Sequence, residues 1–270
     1  MDEKLHKVLA NAGFGSRREI EGWISAGRIS VNGEIAKLGI RVSEQDKIIV
    51  DGKPFQFPAH TQKTRVIMYH KPVGEICTRD DPDGRKTIFE NLPSMQRGRW
   101  IAVGRLDINT SGLLLLTTNG ELANRLMHPS SEIEREYAVR ILGEVSKETL
   151  QALRQGVMLD DGKASFDAIQ DAGGEGANHW YHVILREGRN REVRRLWEAV
   201  GCKVSRLSRV RYGPVQLSRD VKQGKWQDLP PRQIEKLAKT VKLNLKLEQI
   251  YQNKTHLRRT KNRDSGKWGY

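Results

Sequence analysis

Four consecutive leucines, Leu113 to Leu116, follow a loop bounded by Gly104 and Gly112. An apolar run this short, closed off by turn residues, reads as a strand buried in a core. A second short run, Ile101-Ala102-Val103, precedes the same loop. Between the two stands a lone carboxylate, Asp107, with Arg105 two residues before it. The spacing predicts that Asp107 sits where a core strand ends, a position that holds a functional group still. Aspartate also forms turns by accepting backbone N–H groups, so turn chemistry explains it here as well as catalysis does.

A chain built around such a strand needs apolar residues to cover it. With 270 residues and 37% hydrophobic content, this one can build one large or two ordinary domains. Charge narrows the partners. Lysine and arginine number 47 against 33 acids, a net charge of +14, and the pI is near 9.9. That surplus points to a polyanion, nucleic acid first. No apolar stretch has the length of a membrane span, and Met1-Asp2-Glu3-Lys4 lacks an apolar signal core. Cys77 and Cys202 lie far apart without metal-ligand spacing, which suits ordinary packing in a reducing cytoplasm.

The first sixty residues read as a compact unit. Leu5, Val8, Leu9 and Ala12 fall at helical spacing before Gly13 and Gly15. Ser16-Arg17-Arg18-Glu19 matches a capping box, so a second helix is predicted from Arg17 to a stop at Gly27. Ile29 to Val31, an Asn32-Gly33 turn and Glu34 to Ala36 form a predicted hairpin, with another strand over Lys47 to Val50. Arg17 and Arg18 oppose the macrodipole at their helix N-terminus, so phosphate binding explains them better than helix stability does. Arg28 follows just past the helix end. This arrangement, carried by Ser16-Arg17-Arg18-Glu19-Ile20 and Gly27-Arg28-Ile29-Ser30-Val31-Asn32-Gly33, resembles the S4 RNA-binding domain.

Gly52 to Thr64, with Pro54 and Pro58, reads as a linker, its core placed at 61–65. A second domain is expected over residues 66–235. Helices are predicted over Glu121 to Met127, Lys147 to Gln155 and the stretch after Asn190, with strands over Arg135 to Ile141 and Trp180 to Leu185. Elements interleaved without a regular repeat make the fold class α+β with a mixed, mainly antiparallel sheet. Gly173-Gly174-Glu175-Gly176 reads as a flexible turn. Residues 236–270 read as a basic extension, its cations densest after Asn253. Glycine-rich nucleotide motifs are absent, and Asp80, Asp81 and Asp83 do not have calcium-loop spacing.

A second basic motif runs from Leu185 to Trp197. If Arg191 onward is helical, Arg191, Arg194 and Arg195 share a face beside Arg189, while Val193, Leu196 and Trp197 anchor it. Arg206, Arg209 and Arg211 follow within one strand's length. Arginine in such density suits bidentate phosphate contact or pairing with a buried carboxylate.

Three motifs now stand in order: Gly104 to Leu114, Glu134-Arg135-Glu136-Tyr137, and Glu187 to Arg195. Together they resemble the ribosomal RNA pseudouridine synthases of the RsuA/RluB family, which carry an N-terminal S4 domain. The Cys77-Thr78-Arg79-Asp80-Asp81-Pro82 segment and basic tail are most similar to that family's large-subunit branch. The resemblance implies cofactor-free isomerisation of a uridine in a 23S ribosomal RNA stem-loop, with uridine 2605 as the target, in an assembling large subunit; the alternatives are a neighbouring 23S uridine and a non-catalytic S4-type RNA-binding assembly factor. It implies no metal and a cytoplasmic enzyme, and a monomer is expected because polyanion contacts need no symmetric partner. By resemblance Asp107 is the essential carboxylate, acting on the ribose as nucleophile or as base. Arg194 is its basic partner, and Tyr137 stacks on the base. Arg105 fills the space left by the flipped uridine, and Leu207 is an apolar pocket contact. RNA contacts fall to Arg17, Arg18, Arg28, Arg189, Arg191 and Arg195.

Overall fold

The computed structural model describes residues 2–57, 63–95, 98–143, 145–175 and 177–251. The N-terminal unit runs β1 (Glu3–Lys4), α1 (Leu5–Ala12), α2 (Arg17–Ser25), β2 (Ile29–Val31), β3 (Glu34–Ile35), β4 (Arg41–Val42), β5 (Ile48–Val50) and β6 (Lys53–Phe55). Helix α2 begins where predicted because Ser16 and Glu19 close the capping box on each other's backbone N–H. Leu5, Leu9, Ile20, Ile24, Ile29 and Ile48 are the buried side of the two helices and the small sheet.

The linker expected from Gly52 is replaced at its start by β6, which pairs antiparallel with β5 and buries Phe55. Pro54 is tolerated because β6 is an edge strand, where a missing N–H is not needed. Residues 58–62 of that stretch lie outside the described residues. At its other end Thr64 is buried and bridges Ile250, so it belongs to the second unit.

That unit opens with β7 (Val66–Lys71), β8 (Ile101–Ala102), β9 (Ser111–Thr117), α3 (Gly120–Met127), β10 (Arg135–Leu142) and α4 (Lys147–Gln155). It continues with β11 (Val157–Leu159), β12 (Gly162–Ala164), β13 (Ala168–Glu175), β14 (Asn178–Leu185) and α5 (Glu192–Ala199). It closes with β15 (Lys203–Tyr212), β16 (Val215–Gln216), β17 (Trp226–Asp228) and α6 (Pro231–Thr240). The main sheet runs β13-β14-β10-β15-β9-β7-β17, with β16 on β15 and β8 on β9. Every pairing is antiparallel except β15 with β9. The α+β expectation with a mixed, mainly antiparallel sheet holds.

The four leucines are buried on both faces of β9. Leu113 and Leu115 pack with Leu122, Leu126, Ile234 and Leu237 of α3 and α6. Leu114 and Leu116 pack with Ile67, Tyr69, Ile88, Trp100 and Leu106. At about 1.5–3 kcal/mol for each fully buried leucine, this strand is a major source of stability. Asp107 does not end a core strand, as expected, but precedes one. The strand before its loop, β8, is only two half-buried residues long; Ile101 and Ala102 pack against the core and Val103, just after the strand, is fully buried in it.

Two further expectations are corrected. Gly173 and Gly174 are not a turn but part of β13, which bulges between Asp171 and Gly174. A Cβ on Gly174 would lie 2.2 Å from the Asn178 carbonyl oxygen, so glycine there permits close strand approach. Gly176 lies outside the described residues. The domain does not stop at residue 235: α6 continues to Thr240, and Val241, Leu245 and Ile250 are buried in its core. Interspersed lysines hide that apolar stripe in the sequence. Residues 252–270, which hold the tail's basic cluster, lie outside the described residues. Among the described residues no helix is long and apolar enough to cross a membrane.

Candidate active site

Asp107 is half-buried in the loop between β8 and β9, and that loop is tied down from several sides. Lys71, at the end of β7, is completely buried. Its Nζ donates to the carbonyls of Pro72 (3.0 Å), Asp107 (3.0 Å) and Thr110 (2.9 Å). An ammonium has three donors, and all three are used on carbonyl oxygens. Burial pushes the Lys71 pKa down, against the pull of Cys77, Glu75 and Asp107. The Thr110 N–H closes a turn on the Asp107 carbonyl, and the Gly74 N–H donates to Ile108. Cys77 Sγ is 3.4 Å from both the N–H and the carbonyl oxygen of Leu106.

Arg194, on α5, holds the same loop from the other side. It donates to the carbonyls of Asn109 (2.8 Å) and Val204 (3.2 Å). Among the described residues no ion pair joins it to Asp107, so the expected direct contact is replaced by a grip on the backbone two residues on. Burial and Arg191 lower the Arg194 pKa, while the nearby charges of Asp107 and Glu198 raise it. Its charge therefore reaches Asp107 through space.

The loop closes one side of a cavity of about 300 Å³ lined by Arg105, Leu106, Asp107, Tyr137, Leu207 and Arg209, among others. Strand register explains how distant residues meet here. Tyr137 on β10 lies opposite Arg209 on β15, and Leu207 lies opposite Val139. Arg209 in turn pairs with Gly112, two residues past the loop's end at Thr110. A Cβ on Gly112 would stand 2.2 Å from the Arg209 carbonyl oxygen, and its φ is +106°. Only glycine admits that approach. On the opposite side of β10, Glu134 and Glu136 bind Arg211, and Glu136 also binds His182. Hydrogen bonds from Arg211 and Arg186 hold the Glu134 carboxyl below its usual range. These pairs stitch β10 to its neighbours on either side of Tyr137.

The structure thus brings Asp107, Tyr137, Leu207 and Arg105 together at one cavity, with Arg105 exposed at its rim. Arg189 and Arg191 also line it. Arg191 is not in the helix: it has φ +49°, and α5 starts at Glu192, whose side chain accepts the Arg189 N–H as part of the helix start. The shared face of Arg191, Arg194 and Arg195 therefore does not form. Arg195 makes a two-pronged pair with Asp161, and Arg189 binds Glu187 and the Gly162 and Lys163 carbonyls. Arg17 and Arg18 are exposed at the start of α2. Arg28 is held by Asp51 and lies over the Trp23 ring. Lys71 and Glu192 escaped the sequence reading, although a lysine closing the apolar run Val66 to Tyr69 was the available signal.

Residues 65–199 match the RNA pseudouridylate synthase family, and residues 3–48 match the S4 domain. The chain belongs to the RNA pseudouridylate synthase family. A protein called ribosomal large subunit pseudouridine synthase B in Pseudomonas aeruginosa is 58% identical over 243 residues, covering 89% of this chain and 63% of that protein. The chain thus spans less than two thirds of that relative's length. One of the same name from Escherichia coli K12 is 58% identical over 246 residues, covering 90% of this chain and 84% of that relative. A crystal structure of a pseudouridylate synthase superposes with a TM-score of 0.61 at 27% identity, covering 87% of this chain and 99% of the other. In this family member the cavity is lined by five arginines against the carboxylates of Asp107 and Glu192, a field suited to a polyanion. Burial pushes the Glu192 pKa up, opposed by the Arg189 N–H. Among the described residues no cluster of three or more His, Cys, Asp or Glu could hold a metal.

Proposed function

We propose that this protein isomerises a uridine of large-subunit (23S) ribosomal RNA to pseudouridine, uridine 2605 in a stem-loop being the target. The observation that carries the reading is Asp107, in a loop whose backbone is held by Lys71 at Asp107 and by Arg194 at Asn109, opening onto a cavity shared with Tyr137. A carboxylate fixed in this way is oriented for one task and needs no rearrangement to act. It attacks the ribose as nucleophile or acts on it as base. Tyr137 stacks on the uracil, and Leu207 packs against it. Arg105, exposed on the rim, takes the place of the flipped nucleotide. Arg17, Arg18 and Arg191 contact RNA phosphates. The enzyme works as a cytoplasmic monomer, without cofactor or metal.

A 23S RNA fragment tritiated at uridine C5 tests this. Isomerisation joins C5 to C1′ and releases the label to water. Wild-type protein is expected to release it, and Asp107→Asn to do so at least about 10³-fold more slowly, the scale of a lost nucleophile or base. No release by wild type above that control would sink the proposal. Mapping pseudouridines in 23S RNA from a deletion strain identifies the target nucleotide.

A further inference from the structure

Of the five arginines around the cavity, Arg209 alone is closed off from solvent, at 2% exposure. Its Nε donates to the Leu113 carbonyl at 2.8 Å, and its guanidinium carbon lies 5.1 Å from the centre of the Tyr212 ring. Its Nη2 is buried without a hydrogen-bond partner. Among the described residues it forms no ion pair. A guanidinium cannot shed its proton inside a protein, so this charge is not relieved by neutralisation. A buried cation without a counter-charge destabilises a fold unless a ligand supplies one. Of the other buried cations here, Lys71 has all three donors on carbonyls, and Arg194 donates to the carbonyls of Asn109 in the loop and Val204 on β15, with its Nε buried without a partner. Arg209 has donors left over. Strand register sets it between β9, which follows the Asp107 loop, and the strand that carries Tyr137.

We propose that Arg209 is an anion-binding residue of this cavity and holds an anionic oxygen of the target nucleotide. The inference rests on the uridine-isomerising reading above and deepens it. Two oxygens have this chemistry. One is a non-bridging phosphate oxygen. The other is a uracil carbonyl oxygen: when the N1–C1′ bond breaks, its electron pair passes into the ring and is shared with the carbonyls. That charge is consumed when C5 bonds to C1′, the C5 proton leaves, and a proton returns to N1. A fixed donor aimed at transient charge accelerates the step that creates it.

The test uses the full chain with stem-loop RNA, measuring affinity and the single-turnover rate of tritium release for wild type, Arg209→Met and Arg209→Lys. If the oxygen is on phosphate, Arg209→Met weakens binding about tenfold or more. That loss then vanishes on RNA whose target phosphates are uncharged methylphosphonates. If the oxygen is on uracil, binding is kept and the single-turnover rate falls about 100-fold, with Arg209→Lys recovering part of it. A folded Arg209→Met protein within about twofold of wild type in both measurements overturns the inference. Should Arg209→Met fail to fold, Arg209→Gln, which keeps amide donors but removes the charge, is read by the same criteria. Wild type that releases no tritium overturns the functional reading instead.

Discussion

Lys71 does for the Asp107 loop what a metal ion does in other sites: one buried cation gathers three carbonyl oxygens. Replacing it with methionine keeps the volume but strips three buried or half-buried carbonyls of their donor. At about 1–3 kcal/mol for each unsatisfied group, partly relaxed, Lys71→Met is expected to lose about 3–5 kcal/mol in urea unfolding. Tritium release should fall as well, since the loop is no longer held. Glu192 offers a test by pH. Its folded-state pKa lies above the unfolded value, so the folded protein binds the extra proton between the two. Its contribution is therefore fully present below the unfolded pKa and lost as pH rises through the folded one. Glu192→Gln keeps an acceptor for the Arg189 N–H and removes the titration. Measured against this variant, wild type should lose relative stability as pH rises above the ordinary glutamate value of about 4.3, read as the difference in thermal midpoints. A constant difference through that rise would exclude a raised pKa at Glu192.

At the scale of elements, the junction of β9 with β15 is the sheet's parallel pairing, and Gly112 makes it possible. A methyl group there meets the Arg209 backbone at 2.2 Å, and the φ of +106° adds strain. Gly112→Ala should cost about 3 kcal/mol or more and abolish activity, because the same shift moves Asp107 away from Tyr137. Urea unfolding with an unchanged slope, beside the tritium assay, reads both effects. Local elements such as α2, announced by Ser16 and Glu19, were legible in the sequence because every residue that forms them is a near neighbour. Helix α6 was harder, since Lys236 and Lys239 interrupt its apolar stripe in the linear text but not on its surface. Asp107 and Tyr137 were named through their motifs, and Leu207 through the family resemblance alone. The roles of Lys71 and Arg194 were not legible, because they depend on which carbonyls lie opposite them across the fold. Periodicity reports that a residue is buried; it does not report what it touches.

For the whole molecule, a net charge of +14 implies that RNA affinity falls steeply with salt. Residues 252–270 carry Lys254, Arg258, Arg259, Lys261, Arg263 and Lys267 against Asp264. Deleting them should lower the slope of log affinity against log salt. Deleting from residue 236 should instead unfold the protein, because Leu237, Val241, Leu245 and Ile250 leave the core with the deleted segment. A circular dichroism melt separates the two truncations. The bridge between Thr64 and Ile250 also means that the second unit's polypeptide enters and leaves at adjacent points. A unit closed in this way is a cassette. Its two ends can be joined by a short peptide and new ends opened in a surface loop, or the whole can be inserted into a host protein, without parting Asp107 from Tyr137.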